Sequence, residues 1–134
     1  MDFNKLEFFH IGVPVKKDQI TDKSKYATLY KMYTQDGINS LGLHIQYHAF
    51  DEGSSLDKRI RENIHIAFKV KDIQEALKGH EIVMPLYEPF KGYRCAMILV
   101  NDVLIELVET SLSEEQICND DETLNNGILY KNEK

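Results

Sequence analysis

Hydrophobic and polar positions along this chain first fall into a regular order at residues 8–15, where Ile11, Val13 and Val15 alternate with His10, Gly12 and Pro14. A two-residue period belongs to a strand whose two faces meet different surroundings. Residues 16–26, rich in Lys, Asp, Ser and Thr, lack helical periodicity and read as a loop. Alternation with Tyr and Thr predicts a strand over 27–34, Asp36-Gly37 marks a turn, and 41–50 predicts the returning strand of an antiparallel ribbon. Residues 51–62, opening on a Glu-Gly-Ser-Ser run, read as a linker.

The second half is patterned more sharply. A strand over 63–70 leads to Asp72, an N-cap for a short amphipathic helix over 73–78 that Gly79 ends. Residues 81–84 follow, then a proline-interrupted loop over 85–92, a strand over 93–100, an Asn101-Asp102 turn and a final strand over 103–109. The order is βαβββ. After Thr110 the chain turns polar and acidic, with a short helix expected near 112–118, a mobile end, and Ile128-Leu129-Tyr130 as the one apolar group available for docking.

One motif occurs twice. Phe9-His10-Ile11-Gly12-Val13-Pro14-Val15-Lys16 returns as Ile64-His65-Ile66-Ala67-Phe68-Lys69-Val70-Lys71, and Leu43-His44-Ile45-Gln46-Tyr47 aligns with Val103-Leu104-Ile105-Glu106-Leu107. Two copies of one unit about a pseudo-two-fold axis would turn the histidine faces toward each other, with Gln46 and Glu106 each adding an oxygen donor. Two imidazoles, one carboxylate and one amide oxygen suit a divalent Zn, Ni, Co, Mn or Fe ion. His44 competes with Gln46 for the fourth position, being two residues away on the same strand face and a stronger donor.

Composition narrows the function. The chain has 134 residues, 43% of them hydrophobic, enough for one core. With 16 basic and 22 acidic residues dispersed along it and a net charge of -6, it offers no basic stripe for nucleic acid. No apolar run approaches a membrane span and the first residues do not resemble a secretory signal, so a cytoplasmic protein is expected. Cys95 and Cys118 form neither a disulfide framework nor a CxxC element.

His10-Ile-Gly-Val, His65-Ile-Ala-Phe-Lys-Val-Lys-Asp-Ile-Gln-Glu-Ala-Leu and Val103-Leu-Ile-Glu-Leu-Val-Glu together resemble the vicinal oxygen chelate superfamily, which includes glyoxalase I, methylmalonyl-CoA epimerase, extradiol dioxygenases and bleomycin-resistance proteins. The resemblance covers roughly residues 7–110. It implies an α+β fold in which paired βαβββ modules form a cupped, barrel-like mixed sheet, with metal ligands at His10, Gln46, His65 and Glu106. That ligand combination is closest to the epimerase branch. Family members carry an amphipathic helix after the first strand, and residues 16–26 do not, so the first module is read as degenerate. The expected organisation is a single glyoxalase-like domain over 1–110, with module one at 7–50, the linker at 51–62, module two at 63–110, and a polar acidic tail at 111–134.

Such a centre keeps a net charge near +1 and leaves positions open for two vicinal oxygens of a small-molecule substrate. The expected chemistry is stabilisation of an enolate or enediolate by an isomerase, epimerase or lyase. Glu106, His44 and His48 are the candidate proton acceptors, His48 also a substrate contact, and Arg94 a partner for a substrate carboxylate or phosphate. The alternatives are a non-catalytic sequestering protein of the bleomycin-resistance type and an Fe(II) extradiol-type dioxygenase. Exposed sheet edges favour a homodimer.

Overall fold

The two repeats meet along a central pair of antiparallel strands, β1 (Glu7–Pro14) and β5 (His65–Lys69). The computed structural model describes residues 5–130. The expected mobile end falls in part on residues 131–134, and the reading of the first four residues on 1–4; both lie outside the described residues. Each central strand pairs in parallel with the last strand of its own module, β1 with β4 (His44–Phe50) and β5 with β8 (Val103–Thr110). Antiparallel neighbours complete each side: β3 (Met32–Ile38) and β2 (Lys25–Ala27) outside β4, β7 (Tyr93–Val100) and β6 (Glu81–Phe90) outside β8. The eight strands run β2-β3-β4-β1-β5-β8-β7-β6 in one mixed sheet curled into a half-barrel.

Module two follows the sequence pattern closely. The helix α2 (Ile73–Leu77) is capped by Asp72, whose side chain accepts from the Glu75 amide, and Gly79 leaves it at φ +79°. Ile73 is fully buried on the outer face of the sheet among Val70, Ala96, Ile98 and Leu107, a burial that stabilises by about 1.5–3 kcal/mol. Asn101 and Asp102, both at positive φ, make the tight turn between β7 and β8.

Several boundaries differ from expectation, each for a physical reason. The 16–26 segment holds a single 3-10 turn at Lys17–Gln19 and then β2. Asp36 and Gly37 lie inside β3; the turn comes later, where the Asn39 side chain accepts from the amides of Leu41 and Leu43 and Gly42 takes φ +80°. Within 51–62 the structure has α1 (Lys58–Glu62), capped by Asp57, with Leu56 and Ile60 buried in the core. The proline-interrupted stretch over 85–92 belongs mostly to β6, which tolerates Pro85 and Pro89 because it is an edge strand with repeated register shifts against β7.

The segment after Thr110 closes the cup. Ser113 and Gln116 form a reciprocal capping box on α3 (Glu114–Asn119), and α4 (Asp121–Leu124) follows. The amides of Ile128 and Leu129 donate to the Pro89 carbonyl at 2.9 and 3.1 Å, and the Leu29 amide donates to the Leu129 carbonyl at 3.4 Å. Leu29 follows β2 and Pro89 lies in β6, so this strap joins the two edges of the half-barrel. Gly127 pairs with Phe90, and a Cβ there would stand 2.2 Å from the Pro89 oxygen, so only glycine allows the contact. Ile117, Leu124 and Leu129 bury themselves in the concave core.

Candidate metal centre

The register of the central strands builds the site. Across β1 and β5, His10 stands opposite Ala67, Ile11 opposite Ile66, and Gly12 opposite His65. The pseudo-two-fold axis therefore passes between Ile11 and Ile66, and each histidine faces the small residue two places after the other histidine. A Cβ on Gly12 would come within 2.0 Å of the His65 ring, so glycine makes room for that imidazole. The parallel pairings extend the symmetry outward, setting Gln46 beside Gly12 and Glu106 beside Ala67. Gln46 and Glu106 are thus equivalent in the fold as well as in the repeat.

Three donors converge on the concave side. Nε2 of His10 and Nε2 of His65 lie 3.4 and 3.2 Å from Oε1 of Glu106, all three side chains being nearly enclosed at residue exposures of 1%, 3% and 8%. Both ring nitrogens of His10 and Nε2 of His65 have no aligned hydrogen-bond partner despite burial. A buried unpaired polar atom is costly, and two such Nε2 atoms beside one carboxylate have a common explanation in a cation. Burial lowers the His10 pKa and keeps that ring neutral, a state able to ligate. Burial alone would raise Glu106, but the two imidazoles outweigh it and hold the carboxyl well below its usual range. The donor atoms fall within 4.8 Å of one another, and two imidazoles with a carboxylate match the chemistry of Zn, Ni, Co, Mn or Fe(II).

The remaining predicted residues distribute unequally. Gln46 lines the same cavity, but its amide nitrogen donates to Oδ1 of Asp36 at 3.1 Å. His44 Nε2 sits 2.6 Å from that same oxygen, and the Asp36 carboxylate, with Cys118 beside it, pushes the imidazole up to about 10. His48 is buried: Nδ1 lies 3.1 Å from Thr34 Oγ1 and the ring stacks on His65 at 5.8 Å. Burial, then the neighbouring imidazoles, push its pKa down to about 3. Arg94 is on the outer face, because Tyr93, Cys95 and Met97 take the inward positions of β7; its Nη1 pairs with Oε1 of Glu109 at 3.2 Å. That oxygen also accepts from the Ile73 amide at the start of α2.

A cavity of about 80 Å³ opens above the triad, walled by Tyr30, Phe50, Tyr87 and Tyr93 and roofed by Leu124 and Leu129. One residue of its wall is not legible in the sequence. Asp36 was hidden by the turn-like Asp-Gly pair, although Met32, Thr34 and Asp36 keep the two-residue period of one strand face. The need for Gly12 was visible as a shared His-Ile-small pattern in both copies.

A half-barrel of two four-stranded repeats, the second a full βαβββ unit, with donors facing each other across the central strands, has the vicinal oxygen chelate fold. Among solved structures, the chain is similar to a hypothetical protein, BH1468, from Bacillus halodurans C-125, at 21% identity and TM-score 0.60, over 84% of this chain and 98% of that one. Methylmalonyl-CoA epimerase from Mycobacterium tuberculosis matches at 19% identity and TM-score 0.56, over 79% and 89%. A variant of 4-hydroxymandelate synthase from Streptomyces coelicolor matches at 9% identity and TM-score 0.53, over 89% of this chain and 54% of that one. The epimerase and the synthase are both vicinal oxygen chelate proteins. No protein-family model and no curated protein matches the chain by sequence. Among the described residues, no helix is long and apolar enough to cross a membrane.

Proposed function

We propose that this protein is a glyoxalase-like metal-dependent enzyme that removes a proton next to the carbonyl of a small substrate, as an isomerase, epimerase or lyase does. The single observation that carries the reading is the set of buried, unpartnered nitrogens on His10 and His65 around Glu106. Those three residues would hold the ion, with Gln46 joining them if its amide leaves Asp36. A bound divalent ion supplies Lewis acidity to a carbonyl oxygen. The protein's own groups do the rest. Aromatic walls and the C-terminal strap exclude water and admit only a compact, mostly apolar substrate body. Lys25 is the one lysine or arginine on the wall among the described residues, and its ammonium donates to the Cys118 carbonyl, which favours an uncharged substrate.

His44, already holding a proton against Asp36, is a poor base at neutral pH. Neutral His48, stacked on His65, and Glu106 are the better proton acceptors. The test is α-proton exchange in deuterated water, followed by NMR over a panel of hydroxyketones, α-keto esters and thioesters with protein loaded with each candidate metal. Exchange that needs metal and is lost in Glu106→Gln supports the reading; absence of stoichiometric metal in any preparation, with no exchange, overturns it.

One observation favours a second reading. With Gln46 engaged by Asp36, the ligand set reduces to two histidines and one carboxylate, the facial triad of Fe(II) oxygenases. Oxygen uptake with catechols after anaerobic iron loading distinguishes it from proton transfer. Beyond the strap contacts at residues 89–91, the edge strands β2 and β6 have no further partner strand among the described residues, which supports a homodimer that light scattering tests.

A further inference from the structure

A second group of metal-type donors lies beside the first. Asp36 on β3, His44 on β4 and Cys118 on α3 bring a carboxylate oxygen, an imidazole nitrogen and a thiol within 4.8 Å of one another, the same spacing as the central triad. The three come from separate elements, and one of them belongs to the C-terminal strap. The cluster is partly enclosed: the His44 side chain is 14% exposed and that of Asp36 26%, and Cys118 is half-buried with its thiol beside the His44 ring. The Asp36 carboxylate is already held in place by His44 and by the Gln46 amide. Cys118 is a free, half-buried thiol, and its backbone carbonyl accepts from the Lys25 ammonium of β2, which fixes α3 at this corner.

We propose that Asp36, His44 and Cys118 form a second cation site, suited to a soft divalent ion such as Zn2+, that clamps the C-terminal strap onto the first module. Thiolate, imidazole and carboxylate together select zinc-like ions over magnesium or calcium, which require oxygen ligands throughout. Because Cys118 precedes Leu124 and Leu129, which roof the central cavity, an ion here restrains the roof from its own end of the strap. The His44 ring lies 5.4 Å from that of His10, so the two sites are neighbours that share no ligand. The clamp stands whether or not the central site is an enzyme's.

Cobalt titration of the full chain under reducing, chelator-free conditions tests the proposal. Thiolate ligation to Co2+ produces a near-ultraviolet charge-transfer band that imidazole and carboxylate ligands cannot produce, so the band reports a cysteine ligand and the two cysteine variants say which. The expected result is a band that saturates with about one equivalent bound there, is lost in Cys118→Ser, and persists in both Glu106→Gln and Cys95→Ser. The Cys95 control matters because that thiol lines the central cavity. No band at saturating Co2+, or a band unaffected by Cys118→Ser, overturns the site. Should Cys118→Ser fail to fold, the wild-type chain decides: Zn2+ should slow alkylation of Cys118, mapped by mass spectrometry, by about tenfold or more. An unchanged rate leaves only an Asp-His ion pair beside a free cysteine and rejects the clamp.

Discussion

The two modules share a backbone plan and differ in what they place at equivalent points. Both present a histidine over a small residue of the opposite strand, and both put an oxygen donor on the last strand, beside the small residue of their own central strand. Module two spends its donor on the centre, where Glu106 lies against both histidines, and keeps its helix, α2, packed on the outer face. Module one has a 3-10 turn where the helix would be, and its donor, Gln46, is held by Asp36. The contacts across the two-fold axis tolerate almost no change in side-chain volume, whereas the fourth ligand position can be redirected by one new carboxylate.

That contrast can be broken at its strongest point by exchanging the donors. Glu106→Gln should reduce metal affinity by more than the about 10- to 100-fold typical of losing an outer-shell partner, because it removes the only anionic ligand. Gln46→Ala should weaken binding by less than about tenfold on the same scale; isothermal titration with a metal measures both. Equal losses would mean that Gln46 ligates fully and the modules are functionally symmetric.

The packing half of the comparison is sharpened by a reciprocal pair. Gly12→Ala drives a methyl into the His65 ring and should destabilise by about 1–3 kcal/mol while displacing a ligand. Ala67→Gly, its counterpart, should cost about 0.5–1 kcal/mol and leave metal binding nearly intact. Chemical denaturation of the two variants checks the order.

Acid and base should act on different histidines. In metal-free protein the folded pKa of His48 lies near 3, below its ordinary value of 6.5, so the unfolded chain binds the proton first and stability falls as pH drops from 6.5 toward 3. The slope is at most about 1.4 kcal/mol per pH unit per group, and His10 adds in the same direction. His44 has the opposite sign: raised to about 10, its contribution is complete below 6.5 and disappears as pH rises toward 10. Stability should therefore peak near pH 6.5, with His48→Gln flattening the acid limb and Asp36→Asn the basic one. The smallest effect belongs to Arg94→Ala, about 0.5 kcal/mol or less in melting studies with unchanged metal binding, since its ion pair is on the outer face.

The parts of this molecule legible in its sequence are those governed by local period and by repetition. The His-Ile-small motif and the Gln46–Glu106 alignment carried through to strand register, and α2 announced itself by Asp72 and Gly79. What stayed hidden depended on partners distant in sequence. Asp36-Gly37 has turn chemistry, yet pairing with Gln46 and Ile45 on β4 keeps both residues in a strand. Pro85 and Pro89 argue for a loop until β6 is known to be an edge. Arg94 and Cys95 differ by one residue, and nothing local says which of the two faces the cavity. The strap after Thr110 reads as polar tail because its buried residues, Ile117, Leu124 and Leu129, are few and widely spaced.

Anomalous diffraction from crystals equilibrated with Zn2+ tests whether His10, His65 and Glu106 hold one divalent ion. A peak is expected about 2.0–2.2 Å from a ring nitrogen of His10, a ring nitrogen of His65 and a carboxylate oxygen of Glu106. A map without density at that point, or with density only at the Asp36, His44 and Cys118 cluster, would contradict it.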